Sequence, residues 1–420
     1  MNSSTMQKNA GEDGKERIYM NYQVMDDSLR FYLEGRITSD NARELEKEIG
    51  AIIEEHPGRK LFFDADKLEY ISSAGLRFVL RYAKSAPEKI TIENVSREVY
   101  EIFDMTGFTT LMQVQKKLRQ VSIEGLQQVG TGMSSKVYRI DGDTIIKVYD
   151  EKVPFYKITR EIDLAKKAFL AGIPTPISYD LVRCGSAYGV VFEMIANAVT
   201  VGNALMADEG RDFESIMEKF AALLKLMHQT KIDKEAGFPS IKGTWLEWAE
   251  GMKNYYTAEE YALLEQMIMQ VPEADTIVHC DFHAGNTLYQ DGEIVVIDMA
   301  DVGYAHPVFD FAAGAFHAMM SHQENIQHSL SLSQAYIVRF WHALLANYFG
   351  TRDEGKLARL QEIFSAFALL RAALFPMKHV QIPEEMKKFF VESARKNFFP
   401  RIDWALEQAR ALGELEPGAR

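Results

Sequence analysis

The strongest constraint in this sequence is a polar octapeptide set between two short apolar, strand-like runs at 276–278 and 294–297. It reads His279, Cys280, Asp281, Phe282, His283, Ala284, Gly285, Asn286, and Asp298 follows twelve residues after Asn286. A carboxylate ending an apolar strand is a poor core residue unless something compensates its charge. Phosphoryl transfer supplies such a reason, because it needs several groups in one place. Asp281 would orient an attacking hydroxyl and accept its proton. Asn286 and Asp298 would hold Mg²⁺ against phosphates, and Gly285 would let the loop bend. The plainer alternative is a polar loop followed by an isolated buried aspartate.

Upstream features point the same way. Gly130, Thr131, Gly132, Met133, Ser134 and Ser135 form a glycine-rich turn with strand-like sequence on both sides. Glycines let backbone N–H groups approach phosphate oxygens, although a tight hairpin has the same composition. No Lys-Ser/Thr pair follows at the spacing of a Walker-type loop. Lys147 stands fifteen residues after Gly132 among apolar neighbours, and Glu161 lies fourteen further on, near the start of a helical pattern. A phosphate-binding lysine paired with a glutamate fits this spacing; two exposed charges at element edges are the alternative. His279 and His283 are four apart, but Gly285 and flanking strands argue against a helical metal pair, so zinc is not expected. His279 is expected to brace the loop through backbone. Asp310 reads equally as a helix N-cap or as a loop brace, and His228 as a partner for helix C-terminal carbonyls.

At roughly 100–200 residues per domain, 420 residues require two or three. Residues 1–17 read as a flexible tail. An alternating α/β pattern then runs from 18 to 118, with strands at 29–33, 60–63, 68–71 and 90–92 and helices beginning near 42, 76 and 99. A basic, polar stretch at 115–120 separates it from a second part, in which a β-rich first lobe (119–195) precedes a helical second lobe (196–420). The fold class is therefore α/β plus α+β. Only Cys184 and Cys280 occur, which excludes a disulfide scaffold. Net charge is −13, and residues 1–120 hold 18 basic and 20 acidic residues, so the excess acid belongs to the second part. An acidic chain argues against nucleic-acid binding. No signal-peptide core or long uninterrupted apolar run appears, so membrane insertion is not expected and the cytoplasm is the default compartment.

Residues 126–420 resemble the aminoglycoside phosphotransferase and choline kinase-like superfamily, which shares the protein kinase fold. The resemblance rests on Gly130-Thr131-Gly132, Ile146-Lys147, Arg160-Glu161, Gly172 to Pro176, Leu226 to His228, the loop from His279 to Asn286, Ile297-Asp298 and Pro307 to Asp310. It implies a bilobal kinase-like domain that uses ATP and Mg²⁺. Gly130, Gly132 and Ser134 would cover the phosphates, Lys147 would contact them, and Glu161 would position Lys147. Asp281 would be the base, and Asn286 and Asp298 the metal ligands. The segment 191–195, through Glu193 and Ile195, looks like the hinge that takes adenine by backbone groups. Ser135 replaces a third glycine, and Ala284 a proline often found in the loop.

Residues 19–116 are similar to STAS domains, the fold of anti-sigma factor antagonists, through 33–37, 70–76 and 94–108. In antagonists a serine at a helix start is phosphorylated, and Ser73 occupies that position. An N-cap is its plainer role. Ser72 stands where the family has aspartate. Together these resemblances imply a phosphotransferase with a small-molecule hydroxyl acceptor and a STAS domain that regulates or docks a protein partner. The alternatives are a protein serine/threonine kinase acting on Ser73, or a signalling module gated by nucleotide. Acidic residues Asp208, Glu209, Asp212, Glu247 and Glu250 leave a cationic acceptor open.

Overall fold

The structure, a computed structural model, describes residues 18–414 apart from Asp26, Pro87, Met133, 208–211 and 379–381. The expected tail at 1–17 and the acidic pair Asp208 and Glu209 lie outside the described residues. The chain divides into two compact units, Met1–Val121 and Ser122–Arg420.

The first unit is one five-stranded sheet in the order β1 (Ile18–Val24), β2 (Ser28–Ile37), β3 (Lys60–Ile71), β4 (Thr91–Val95), β5 (Gln113–Lys116). The first pair is antiparallel and the rest are parallel. Register places Phe31, Phe63 and Ile92 side by side, all buried. Helices α1 (Ala42–Glu55), α2 (Ser73–Ser85), α3 (Arg97–Met105) and the short α4 (Phe108–Leu111) connect the strands. The sequence suggests separate strands at 60–63 and 68–71, but β3 is continuous. Asp64 and Asp66 do not interrupt it because Leu61, Phe63 and Ala65 keep the alternation and stay buried between them. β1 is not among the strands expected from the sequence; it is half-buried and forms one edge of the sheet.

In the second unit an antiparallel sheet runs in the order β6 (Gln127–Thr131), β7 (Ser135–Arg139), β8 (Thr144–Tyr149), β10 (Ala187–Glu193), β9 (Ser178–Cys184). Helix α5 (Phe155–Leu170) packs its buried Ile158, Glu161, Leu164 and Ala165 inward. After the two-residue strand β11 (Val199–Thr200) the chain is mainly helical: α6 (Val201–Met206), α7 (Phe213–Gln229), α8 (Ile241–Met252) and α9 (Ala258–Met269). Short strands β12 (Ile277–Val278), β13 (Thr287–Gln290), β14 (Glu293–Val296) and β15 (Gly303–Tyr304) carry the polar loop. They are followed by α10 (Val308–Met319), α11 (Glu324–Leu330), α12 (Gln334–Phe349), α13 (Glu354–Leu374), α14 (Glu384–Asn397) and α15 (Ile402–Arg410). Among the described residues one helical stretch, Glu354–Met377, is long and apolar enough to cross a membrane. It is mostly buried: Leu360, Phe364, Phe367 and Leu370 sit in the core against α10, with Phe364 stacked 4.4 Å from Phe311. Of the phenylalanines near the C-terminus, Phe398 is core but Phe389 is exposed.

Candidate active site

Strand β8 alternates, so Lys147 and Tyr149 share a face. That face looks onto α5, whose Glu161 is buried. Lys147 Nζ lies 2.6 Å from Glu161 Oε1 and 3.2 Å from Asp298 Oδ1, and the Tyr149 hydroxyl donates to Glu161 Oε2 at 3.0 Å. Burial opposes the charge on Lys147, but Asp298 and Glu161 outweigh it and hold the ammonium well above its usual range. Lys147 in turn holds the Asp298 carboxyl below the usual carboxylate range. Burial raises Glu161, with Lys147 opposing it. A buried ion pair of this kind keeps its energy only while every partner is present.

The polar loop begins where β12 pairs with β15. His279 is fully buried, and its Nε2 meets the Ile297 carbonyl at 3.1 Å. The chain then turns at Cys280 with φ of 65°, and Asp298 has φ of 62°. Left-handed backbone at non-glycine residues is costly and persists only where surroundings enforce it. Asp310 enforces the first turn: its carboxylate accepts the N–H groups of both His279 and Cys280. It is held by His228 Nε2 at 2.9 Å, and His228 Nδ1 meets the Tyr348 hydroxyl at 2.8 Å. Asp310 is therefore a loop brace, and Pro307 takes the N-cap position of α10. His228 serves that brace, and not the carbonyls at the end of α7.

Asp281 receives Arg371 Nη2 at 3.3 Å on one oxygen and Lys378 Nζ at 3.4 Å on the other. Lys378 also reaches Asp301 at 2.8 Å. Burial pushes Asp281 up, but Lys378, His283 and Arg371 outweigh it, so the carboxyl lies well below its usual range. Asn286 donates its amide Nδ2 to the Asp281 carbonyl at 3.1 Å, while its own carbonyl accepts from Ile297 N at 2.9 Å. This ties Asn286 to the strand end that presents Asp298. With Nδ2 engaged, its Oδ1 is left as a hard oxygen donor, and the Asp298 carboxylate is another, the donor type that suits Mg²⁺.

Gly285 has a different reason from the bend expected of it. Its φ is not positive; a Cβ there would stand 1.9 Å from the Ser329 carbonyl oxygen. Gly202 meets Leu330 in the same way, and its N–H donates to Ala284. The glycine turn is an exposed hairpin between β6 and β7. Gly130 sits opposite Val137, Gly132 N–H donates to Ser135, and the Ser134 carbonyl accepts from Asp150. A Cβ on Gly132 would meet Ser135 Oγ at 2.9 Å. At the segment after β10, the Glu193 side chain accepts from Ile177 N, and Ile195 accepts from Ala198 N within a turn. Glu193 thus spends its carboxylate on the residue that precedes β9.

Sequence spacing shows only two histidines near Asp281; the fold adds His317, so that Asp281, His283 and His317 offer ligand atoms within 4.8 Å of one another. His283 Nδ1 accepts from Gly285 N–H, which leaves its proton on Nε2, the atom facing Asp281. That tautomer, with two cations already on Asp281, does not suit a metal. Burial lowers His283 to about 4, so it is neutral at pH 7.

Sequence reasoning missed Tyr149, Arg371 and Lys378. A lone arginine inside the apolar run 364–374 was the one available signal.

Comparison with known proteins places the chain in a family. Residues 125–362 match the phosphotransferase enzyme family, and the chain belongs to it. It is a kinase-type phosphotransferase, and it carries a STAS domain that matches over residues 19–121. Over 93 residues it is 34% identical to a putative anti-sigma factor antagonist, BtrV, of Bordetella bronchiseptica, spanning 21% of this chain and 79% of that protein. Among solved structures, the aminoglycoside phosphotransferase APH(2'')-Ib with ADP bound is 14% identical with a TM-score of 0.43, covering 74% of this chain and 98% of that one. A choline/ethanolamine kinase family protein from Mesorhizobium loti is 15% identical with a TM-score of 0.45, covering 69% and 93%. Arg371 and Lys378 lie beyond the residues matched to the family.

Proposed function

We propose that the second unit transfers the γ-phosphate of ATP, with Mg²⁺, to a hydroxyl on a small molecule, and that the STAS unit regulates it or docks a protein partner. The working boundaries are 18–118 for the STAS part, 119–195 for the β-rich lobe and 196–420 for the helical lobe. The observation that carries this reading is Lys147 bridging Glu161 and Asp298, residues far apart in sequence, close to a loop that presents Asp281 and Asn286. Lys147 binds phosphate oxygens, and Glu161 with Tyr149 keeps its ammonium oriented. Asn286 and Asp298 hold Mg²⁺, which supplies charge neutralisation on the phosphates when bound. Gly130, Gly132 and Ser134 cover the phosphates, and backbone groups of Glu193 and Ile195 take the adenine. Asp281 accepts the proton of the acceptor hydroxyl, a role open to it because its carboxylate stays ionised. The test is ATP turnover with an acceptor panel in wild type and Asp281→Asn. Loss of a positioned general base costs on the order of 10²–10⁴ in rate. Equal turnover by the two proteins would sink the reading. We place the protein in the cytoplasm.

A second reading has its own observation. Ser72, buried, caps α2 by accepting from Gly75 N at 3.3 Å, so Ser73 is not the cap and stands exposed at the first helical residue. A phosphate there would meet the positive end of α2. Ser73 is then the phosphosite of the STAS unit, written by this kinase or by another. Intact mass after incubation with Mg-ATP checks the first case: an unchanged mass removes self-phosphorylation.

A further inference from the structure

If the second unit phosphorylates a hydroxyl compound, its fold also indicates what that compound carries. At Cys280, the residue before Asp281, lies a small cavity of about 30 Å³ lined by Arg160, Trp245, Trp248, Asp301, Arg371 and Lys378. Lys378 is shared between Asp281 and Asp301, and Arg371 is spent on Asp281 and the Cys280 carbonyl. Those two cations and two carboxylates balance. Arg160 is left over: it is exposed, and among the described residues no carboxylate lies within 4.0 Å of it. Lys157, one turn earlier on α5, adds a second surplus cation. Burial lowers its ammonium, Asp301 opposes this, and Arg160 lowers it further. The aromatic wall is Trp245 and Trp248 of α8, stacked 6.2 Å apart, with Trp245 buried and Trp248 half-buried. Glu250, one of the acids that left a cationic acceptor open, is engaged by Lys253 and the Tyr261 hydroxyl.

We propose that the acceptor is a small hydroxyl compound bearing an oxyanion, carboxylate or phosphate ester, which Arg160 pairs while the carbon skeleton rests on Trp248. Guanidinium matches either oxyanion with two parallel hydrogen bonds, and stacking on an aromatic face suits a short apolar skeleton. The local sign of charge is then opposite to that of the acidic second unit as a whole. The acceptor oxygen forms the new P–O bond, its proton passes to Asp281, and the bond between the β and γ phosphates breaks with its electrons leaving on the nucleoside diphosphate.

Tryptophan fluorescence of the full chain, titrated with D-glycerate, glycerol 3-phosphate, glycerol and choline, tests this. The same four compounds are then assayed as acceptors with Mg-ATP. At least one anion is expected to bind about ten-fold or more tighter than glycerol, and which one separates carboxylate from phosphate. Arg160→Ala should abolish that preference and Arg160→Lys restore part of it. With the preferred anion as acceptor, Arg160→Ala should raise KM about ten-fold with kcat changed by less than about three-fold. Binding of neither anion, a preference for glycerol or choline, or an anion preference that survives Arg160→Ala overturns the proposal. The binding arm needs no turnover. A protein that binds an anion through Arg160 yet transfers no phosphate defeats the phosphotransferase reading alone.

Discussion

The second unit holds its charges in two contrasting ways. Around Lys147 the charges hold one another: ammonium, Glu161 and Asp298 form a compact set, and Tyr149 fills the remaining carboxylate oxygen. Around Asp281 the loop is held by groups gathered from α7, α10, α12 and α13. Lys147, Tyr149 and Glu161 come from one strand and the next helix, so most of the first set forms with local structure. The second exists only when the helical lobe has packed. Stability of the lobe and competence of the loop are thus one property, whereas the contact of Lys147 with Glu161 does not draw on that packing.

The largest break in that contrast is Asp310→Ala. It removes the acceptor for two buried N–H groups and the partner of His228. We expect about 3 kcal/mol or more lost in urea unfolding, because each buried group left unpaired costs its desolvation. A loss under about 1 kcal/mol would mean the loop holds its turn unaided. Next is Gly285→Ala, where a methyl group is driven against the Ser329 carbonyl. Overpacking of this kind costs about 1–3 kcal/mol. Activity should fall further than stability does, since Asn286 is the next residue. Wild-type turnover in this variant would show that the segment at 329 yields freely.

The mildest test is acidity. Burial holds His283 and His306 neutral, each lowered to about 4. In the unfolded chain histidine titrates near about 6.5. Between those values the unfolded state binds more protons, so the stability they contribute is present above about 6.5 and is lost as pH falls toward 4. The urea midpoint should drop from pH 7 to pH 5. It should drop less in His306→Asn, whose amide oxygen can accept the Val308 N–H as Nδ1 does now. An equal drop in both proteins would remove His306 from the account.

This contrast also explains what could be read from sequence. Lys147 with Glu161, and separately Asp281, Asn286 and Asp298, stand at short spacings on a strand, a helix, a loop and a strand end, and such spacings show without a structure. So did the α/β character of residues 18–118, where buried positions alternate. Arg371 and Lys378 reach Asp281 from about ninety residues away, through a helix that reads as core. The reason for Gly285 was equally hidden, because it lies in the backbone of another segment. The acidity of the second unit gave no hint of a cationic cavity, since net charge sums over a whole surface while a site depends on a few ångströms.

Gly202 and Gly285 have a mechanical consequence. At both, main chain meets main chain at the end of α11, with no side chain between to swing aside. Side chains are the compliant parts of a protein interior, and here there are none. Movement of residues 329–330 would press directly on the loop, since close-packed interiors transmit strain. The end of α11 is therefore in direct main-chain contact with the segment that leads to Asn286, so a shift of one is passed to the other and not absorbed.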